Sequence, residues 1–146
     1  MSNLIFILHL ASTWFMTGLI WFVQVVHYPL YNRVGDNFVD YERVHCALTT
    51  AVVAPVMLCE LFSGLLLLIS RPRYLSLLEC LLDLGALAFI WLSTFFIADQ
   101  LHGALSAGFD SSVHASLVSW NWSRTIAWSF RAILLTYVLW KGLARE

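Results

Sequence analysis

The sequence predicts an all-α fold, an integral membrane up-down four-helix bundle, on three observations. The 146 residues are 60% hydrophobic and 12% charged, with a mean hydropathy of +0.78. Soluble domains are about 45–50% apolar and about 25% charged, so the excess suits a bilayer as solvent. Apolar runs of the ~20 residues needed to cross hydrocarbon recur four times. The links between them are short, which makes consecutive helices antiparallel neighbours. The length suits one transmembrane domain. A net charge of -1 provides no basic footprint, so nucleic acid is not an expected partner.

The first span covers about 4–30 and closes on QVVHYP, where Pro29 stops the helix. No Lys or Arg precedes it and no small-residue cleavage site follows, so it reads as a retained span rather than a signal peptide. A polar link, 31–36, leads to the second span, about 38–70, whose first turns are polar and which Pro55 should kink. The turn SRPRY (70–74) opens the third span, about 74–101. A Gly-containing loop, 103–112, precedes the fourth, about 114–141. Cys46, Cys59 and Cys80 form no CxxC pair and read as small packing residues. The seven tryptophans are spread too widely for an interfacial belt alone, and several should pack between helices.

Lys and Arg set the orientation. Arg71, Arg73, Lys141 and Arg145 share one face; Arg33 and Arg43 lie on the other. Both termini are therefore expected in the cytoplasm, and the membrane is expected to be a bacterial inner membrane.

In that topology His27, His45, His102 and His114 all meet the outer rim, one from each helix. Three have an oxygen-bearing partner three residues earlier, as Gln24-x-x-His27, Glu42-x-x-His45 and Asp99-x-x-His102. Residues i and i+3 share a helix face, and acid-x-x-His on bundle helices is how di-iron and di-manganese centres are assembled. His27, Glu42, His45, Asp99, His102 and His114 are thus the candidate metal ligands, for iron, manganese, zinc or copper. The bland reading is polar residues solvating helix ends, with Glu42 suited to a helix start. Asp83 and Asp99 fall ~160° apart on an ideal helix, so the third helix must bend, or end before Asp99, if both are to face inward.

Glu60, Asp83 and Arg131 lie at similar depth on three helices, each ~15 Å from the cytoplasmic end. A charge near the bilayer centre costs ~2.5–3.5 kcal/mol on insertion scales, so mutual pairing is expected. Arg124 lies seven residues before Arg131 on the same face. Glu60, Arg124 and Arg131 are the candidate catalytic groups, as a proton relay or anion contact. The alternative is an ion-pair network that fixes the register of the bundle.

The pattern VQVVHYPLYNRVG followed by PVMLCE resembles a family of small four-span bacterial membrane proteins. The late W-N-W-S-R-T resembles the arginine-bearing last helix of the anthrone-oxygenase-like group. The opening LHLASTWFMTGL is similar to the first helix of the small bacterial membrane protoporphyrinogen oxidases. That last resemblance implies haem, with His9 as the cofactor-binding residue.

These readings lead to a metal- or haem-dependent oxidoreductase acting on a lipophilic small molecule from the bilayer. The alternative is a non-catalytic accessory subunit of a larger redox or photosynthetic membrane complex, with membrane-protein partners or further copies of itself. A transporter fits less well, because no span is broken and no inverted repeat is visible.

Overall fold

The computed structural model describes residues 1–144 and is all-helical over them, with four long helices. We label them α1 (Ser2–Arg33), α2 (Gly35–Ile69), α3 (Leu77–Leu105) and α4 (Ser111–Leu143). Val34 alone separates α1 from α2. The chain reverses there because Gly35 takes φ 73, a left-handed conformation that only glycine adopts freely. The polar link expected at 31–36 is therefore mostly tight helical turn.

Local chemistry sets the other starts. At α3 the Ser76 hydroxyl accepts from the Glu79 amide at 3.3 Å, and Glu79 accepts the Ser76 amide at 2.8 Å. This reciprocal cap satisfies two donors that the first turn leaves orphaned. At α4 the Asp110 carboxylate accepts from the Ser112 and Val113 amides at 2.7 and 3.1 Å. Lys141 near the end of α4 donates to Glu79 at 2.5 Å, tying that end to the start of α3. Arg145, used in the orientation argument, lies outside the described residues.

Buried side chains form three layers along the bundle. One end holds Phe6, Leu67, Leu75 and Leu135; the middle holds Met16, Met57, Ile90 and Trp128; the other end holds Tyr28, Phe38, Leu105 and Leu117. Each layer draws on helices that run in alternate directions, which is the up-down arrangement. α1 packs along α2 and α4, and α3 along α4, while α2 and α3 touch least of the neighbouring pairs. Gly64 permits the close approach of α2 to both α3 and α1, since a Cβ there would lie 2.8 Å from Leu84 and 3.1 Å from His9.

Two helices change pitch. α1 is π-helical over Val23–His27, and α3 over Thr94–Ala98. A π-turn carries one extra residue, which re-phases everything beyond it. Asp83 and His102 are nineteen residues apart, which leaves them ~100° out of phase on an unbroken α-helix; one extra residue restores five whole turns. Both then face the bundle. In α1 the same shift turns Tyr28, at 3% exposure, onto the inward face of His9, and leaves His27 flanking it.

Three helices, α1, α2 and α3, are long and apolar enough to cross a membrane, where four were expected. α4 is 33 residues long, but His114, Asn121, Arg124 and Arg131 lower its hydropathy. The tryptophans also differ from expectation. Trp128 is buried and Trp91 half-buried, but Trp14, Trp21, Trp120, Trp122 and Trp140 are exposed.

Candidate functional site

Two polar clusters and a cavity between them occupy the bundle interior. The inner cluster gathers on Arg131, which is fully buried. Its Nε donates to Asp83 at 2.9 Å, its Nη1 to Glu60 at 2.5 Å and its Nη2 to Thr13 at 3.3 Å. Trp128 Nε1 donates to Glu60, 3.3 Å from each carboxylate oxygen. His9 is also fully buried, with Nε2 2.8 Å from Asp83 and Nδ1 2.7 Å from the Ser63 hydroxyl. The Ser63 hydroxyl donates to the Cys59 carbonyl at 2.5 Å, so both ring nitrogens of His9 face oxygen.

Two of the three candidate catalytic groups, Glu60 and Arg131, therefore sit in one closed ion-paired network with Asp83. His9, expected from resemblance to hold haem, belongs to the same network. Its nitrogens are both taken, which leaves neither free to ligate iron. Thr13 and Ser63 sit on the inward stripes that helical spacing predicts from His9 and Glu60, whereas Trp128, three residues before Arg131, carries no such signal in the sequence.

The outer cluster is built where the π-turns re-phase α1 and α3. Glu42 is wholly buried. Its Oε1 accepts from His102 Nδ1 at 2.6 Å, and Cys46 Sγ lies 3.6 Å away. Ligand atoms of Glu42, Cys46 and His102 all fall within 4.8 Å of one another. Glu42 Oε2 and the Tyr31 hydroxyl have no partner at full hydrogen-bond geometry, but the two lie close enough for the hydroxyl to act as a weak donor to the carboxylate. The far nitrogen of His102 meets the Tyr28 hydroxyl at 2.9 Å, which fixes the ring. His27 Nε2 and His45 Nδ1 are 2.8 Å apart, and Thr49 approaches the same His45 nitrogen at 3.1 Å. The His45 and His102 rings lie 5.6 Å apart between centroids, so the pair and the triad adjoin.

Of the six candidate metal ligands, His27, Glu42, His45 and His102 come together. His114 does not join them: its Nε2 bonds the Tyr28 carbonyl at 2.8 Å and its ring stacks on Tyr31. Asp99 is exposed, on the cavity rim. Gln24, three before His27, bonds Asn121 at 2.7 Å instead. Cys46 is the ligand-type residue that the sequence reading set aside as packing. Its signal was its place four residues after Glu42, one turn along the same face.

The cavity, about 300 Å³, lies between the clusters against the loose α2–α3 seam. Its walls are mostly apolar, with Met16, Met57, Trp91 and Phe95 among them, and its polar lining includes Cys46, His102 and Arg124. Arg124 thus stands apart from Arg131. It donates to Asn121 at 2.6 Å and lies 3.5 Å from the Thr94 hydroxyl. No protein-family model, curated protein or solved structure matches the chain.

Proposed function

We propose that this chain is an integral membrane protein whose outer cluster holds a transition-metal ion and performs redox chemistry on a lipophilic substrate. The carrying observation is Glu42: wholly buried, with one oxygen that has no closer donor than a loosely placed Tyr31 hydroxyl, beside a thiol and an imidazole within ligand reach. A buried carboxylate left partly unsatisfied is costly, whereas bridging such groups is what a metal ion does. Glu42, Cys46 and His102 would hold it, and the donor set suits iron, zinc or copper. The Tyr28 hydroxyl on the far nitrogen of His102 is the outer support that ligating imidazoles take. Three protein ligands leave a coordination position open, the mark of a catalytic rather than a structural site, and Cys46 and His102 both line the cavity. Bound there, the ion would supply electron transfer or Lewis acidity at the cavity mouth.

Large apolar side chains are exposed around the bundle, among them Phe15, Leu48, Phe62, Leu78, Phe96 and Ile133. Surface of that kind calls for hydrocarbon as solvent. α4 crosses as a fourth span, because its Asn121, Arg124 and Arg131 are all buried inside the bundle. Arg71, Arg73 and Lys141 support cytoplasmic termini by the positive-inside rule, in what we take to be a bacterial inner membrane, with the metal cluster facing outward.

Elemental analysis of the chain purified in mild detergent tests this reading, together with cobalt reconstitution. The expected result is one transition metal per chain and a thiolate-to-cobalt absorption band that Cys46→Ser abolishes. Glu42→Gln and His102→Ala should lower metal occupancy sharply. A folded wild-type chain with no stoichiometric metal, and no thiolate band on adding cobalt, would overturn the metal reading and leave an accessory subunit.

A further inference from the structure

We infer that the cavity binds a single-chain lipophilic carboxylate, with its head group on Arg124. This names the substrate class of the metal site and rests on that reading for its catalytic meaning; the binding itself stands on other residues.

Arg124 is only 8% exposed. Its hydrogen-bond partners, Asn121 and Thr94, are neutral, and so is the nearby Tyr28 hydroxyl. Among the described residues no carboxylate forms an ion pair with it, whereas Arg131, seven residues on, has two. Asp99 lines the same cavity from its exposed rim but makes no ion pair with Arg124. A guanidinium inside an apolar bundle without a counter-charge is expensive. A second donor lines the same cavity: the buried Nε1–H of Trp91 has no acceptor. A cation with only neutral partners and an unpaired N–H on one mostly apolar chamber ask for an anionic acceptor attached to an apolar body.

Shape narrows the class. The chamber of about 300 Å³ is at the small end of ligand pockets. Arg124 lies seven residues before Arg131, ~10 Å nearer the outer face, so depth does not select the head group; chamber size does, because the second acyl chain of a phospholipid has no room in it. A free inorganic anion would have to cross the apolar lining unaccompanied. A carboxylate on one chain reaches it through the loose α2–α3 seam, tail trailing toward lipid, and presents two oxygens to the guanidinium fork.

The test uses the full chain in phosphatidylcholine nanodiscs with metal removed by chelator, titrated with carboxyl-¹³C decanoate, decanol and inorganic phosphate. Decanoate should bind saturably with a shifted carboxyl resonance, and decanol at least about tenfold more weakly, the loss expected when a charge-assisted bond is removed. Arg124→Gln should weaken decanoate by at least about tenfold and leave decanol unchanged. Ala54→Trp, which fills the chamber away from Arg124, should abolish both and decides the matter if Arg124→Gln does not fold. Equal decanoate binding by wild type and a folded Arg124→Gln, or by wild type and Ala54→Trp, overturns the inference. So does phosphate binding more tightly than decanoate. Because the protein is metal-free throughout, decanoate binding by a chain that never takes up metal would sink the redox reading alone, and metal uptake without decanoate binding would sink this one alone.

Discussion

Replacing Arg131 with methionine should cost about 5 kcal/mol of stability. Arg131 serves two carboxylates, Asp83 and Glu60, both essentially without solvent contact. Removing one partner of a buried ion pair costs about 3–5 kcal/mol, because the other charge is left uncompensated. Two acids are stranded here, but each keeps one other contact: Asp83 keeps His9 at 2.8 Å, and Glu60 keeps Trp128 at 3.3 Å. The total therefore falls near the top of the single-pair range rather than at twice it. Folded proteins have only ~5–15 kcal/mol in hand, so the effect is large. Reversible unfolding in mixed micelles with rising dodecyl sulfate, followed by circular dichroism, measures it. Adding Glu60→Gln and Asp83→Asn to Arg131→Met should return at least ~2 kcal/mol, since neutral replacements of a buried ionic cluster are often well tolerated. A loss below ~1 kcal/mol for Arg131→Met, or a triple variant no more stable than the single one, would refute the claim that these charges hold one another.

Gly64→Ala should cost ~1–3 kcal/mol by overpacking, because the new methyl would sit 2.8 Å from Leu84 on α3 and 3.1 Å from His9 on α1; unchanged unfolding would show that the Leu84 side chain turns aside. Deleting Ile97 removes the extra residue of the α3 π-turn and leaves Asp83 and His102 five whole helical turns apart, so metal content and thermal unfolding should both survive; loss of metal on elemental analysis would refute this account of the phase. The Ser112 hydroxyl and the Ser112 and Val113 amides hold the Asp110 carboxyl below the usual aspartate range. The cap on α4 is thus fully present above the ordinary aspartate pKa and is lost as pH falls through the depressed value. Hydrogen exchange at Ser112 and Val113 should accelerate across that window, and Asp110→Ala should remove the pH dependence.

The helical class was legible because apolar runs of membrane length are hard to produce in any other fold. Boundaries were close where capping chemistry is local, as at Ser76 and Asp110. The count of spanning helices was less legible: α4 has its polar residues on an inward stripe that an average over the helix cannot distinguish from solvent exposure. Pairing of Glu60, Asp83 and Arg131 followed from matched depth on adjacent helices. The outer cluster was legible only in part, because an ideal helical wheel assumes unbroken pitch. The π-turns at Val23–His27 and Thr94–Ala98 put Tyr28 and His102 where the wheel does not, and nothing in VQVVH or TFFIA announces them. His9 illustrates the reverse error. Its place in the opening pattern suggested a cofactor, but its depth matched Ser63 and Asp83 across the bundle.

The inner ion network also acts as a stopper. Trp128 borders the chamber, while Arg131, Glu60, Asp83 and His9 stand outside its lining, bonded to one another and backed by the apolar layer of Phe6, Leu67 and Leu135. The chamber is therefore a cul-de-sac. A molecule held there would have to leave on the side by which it entered, so its exit and the entry of another would share one path.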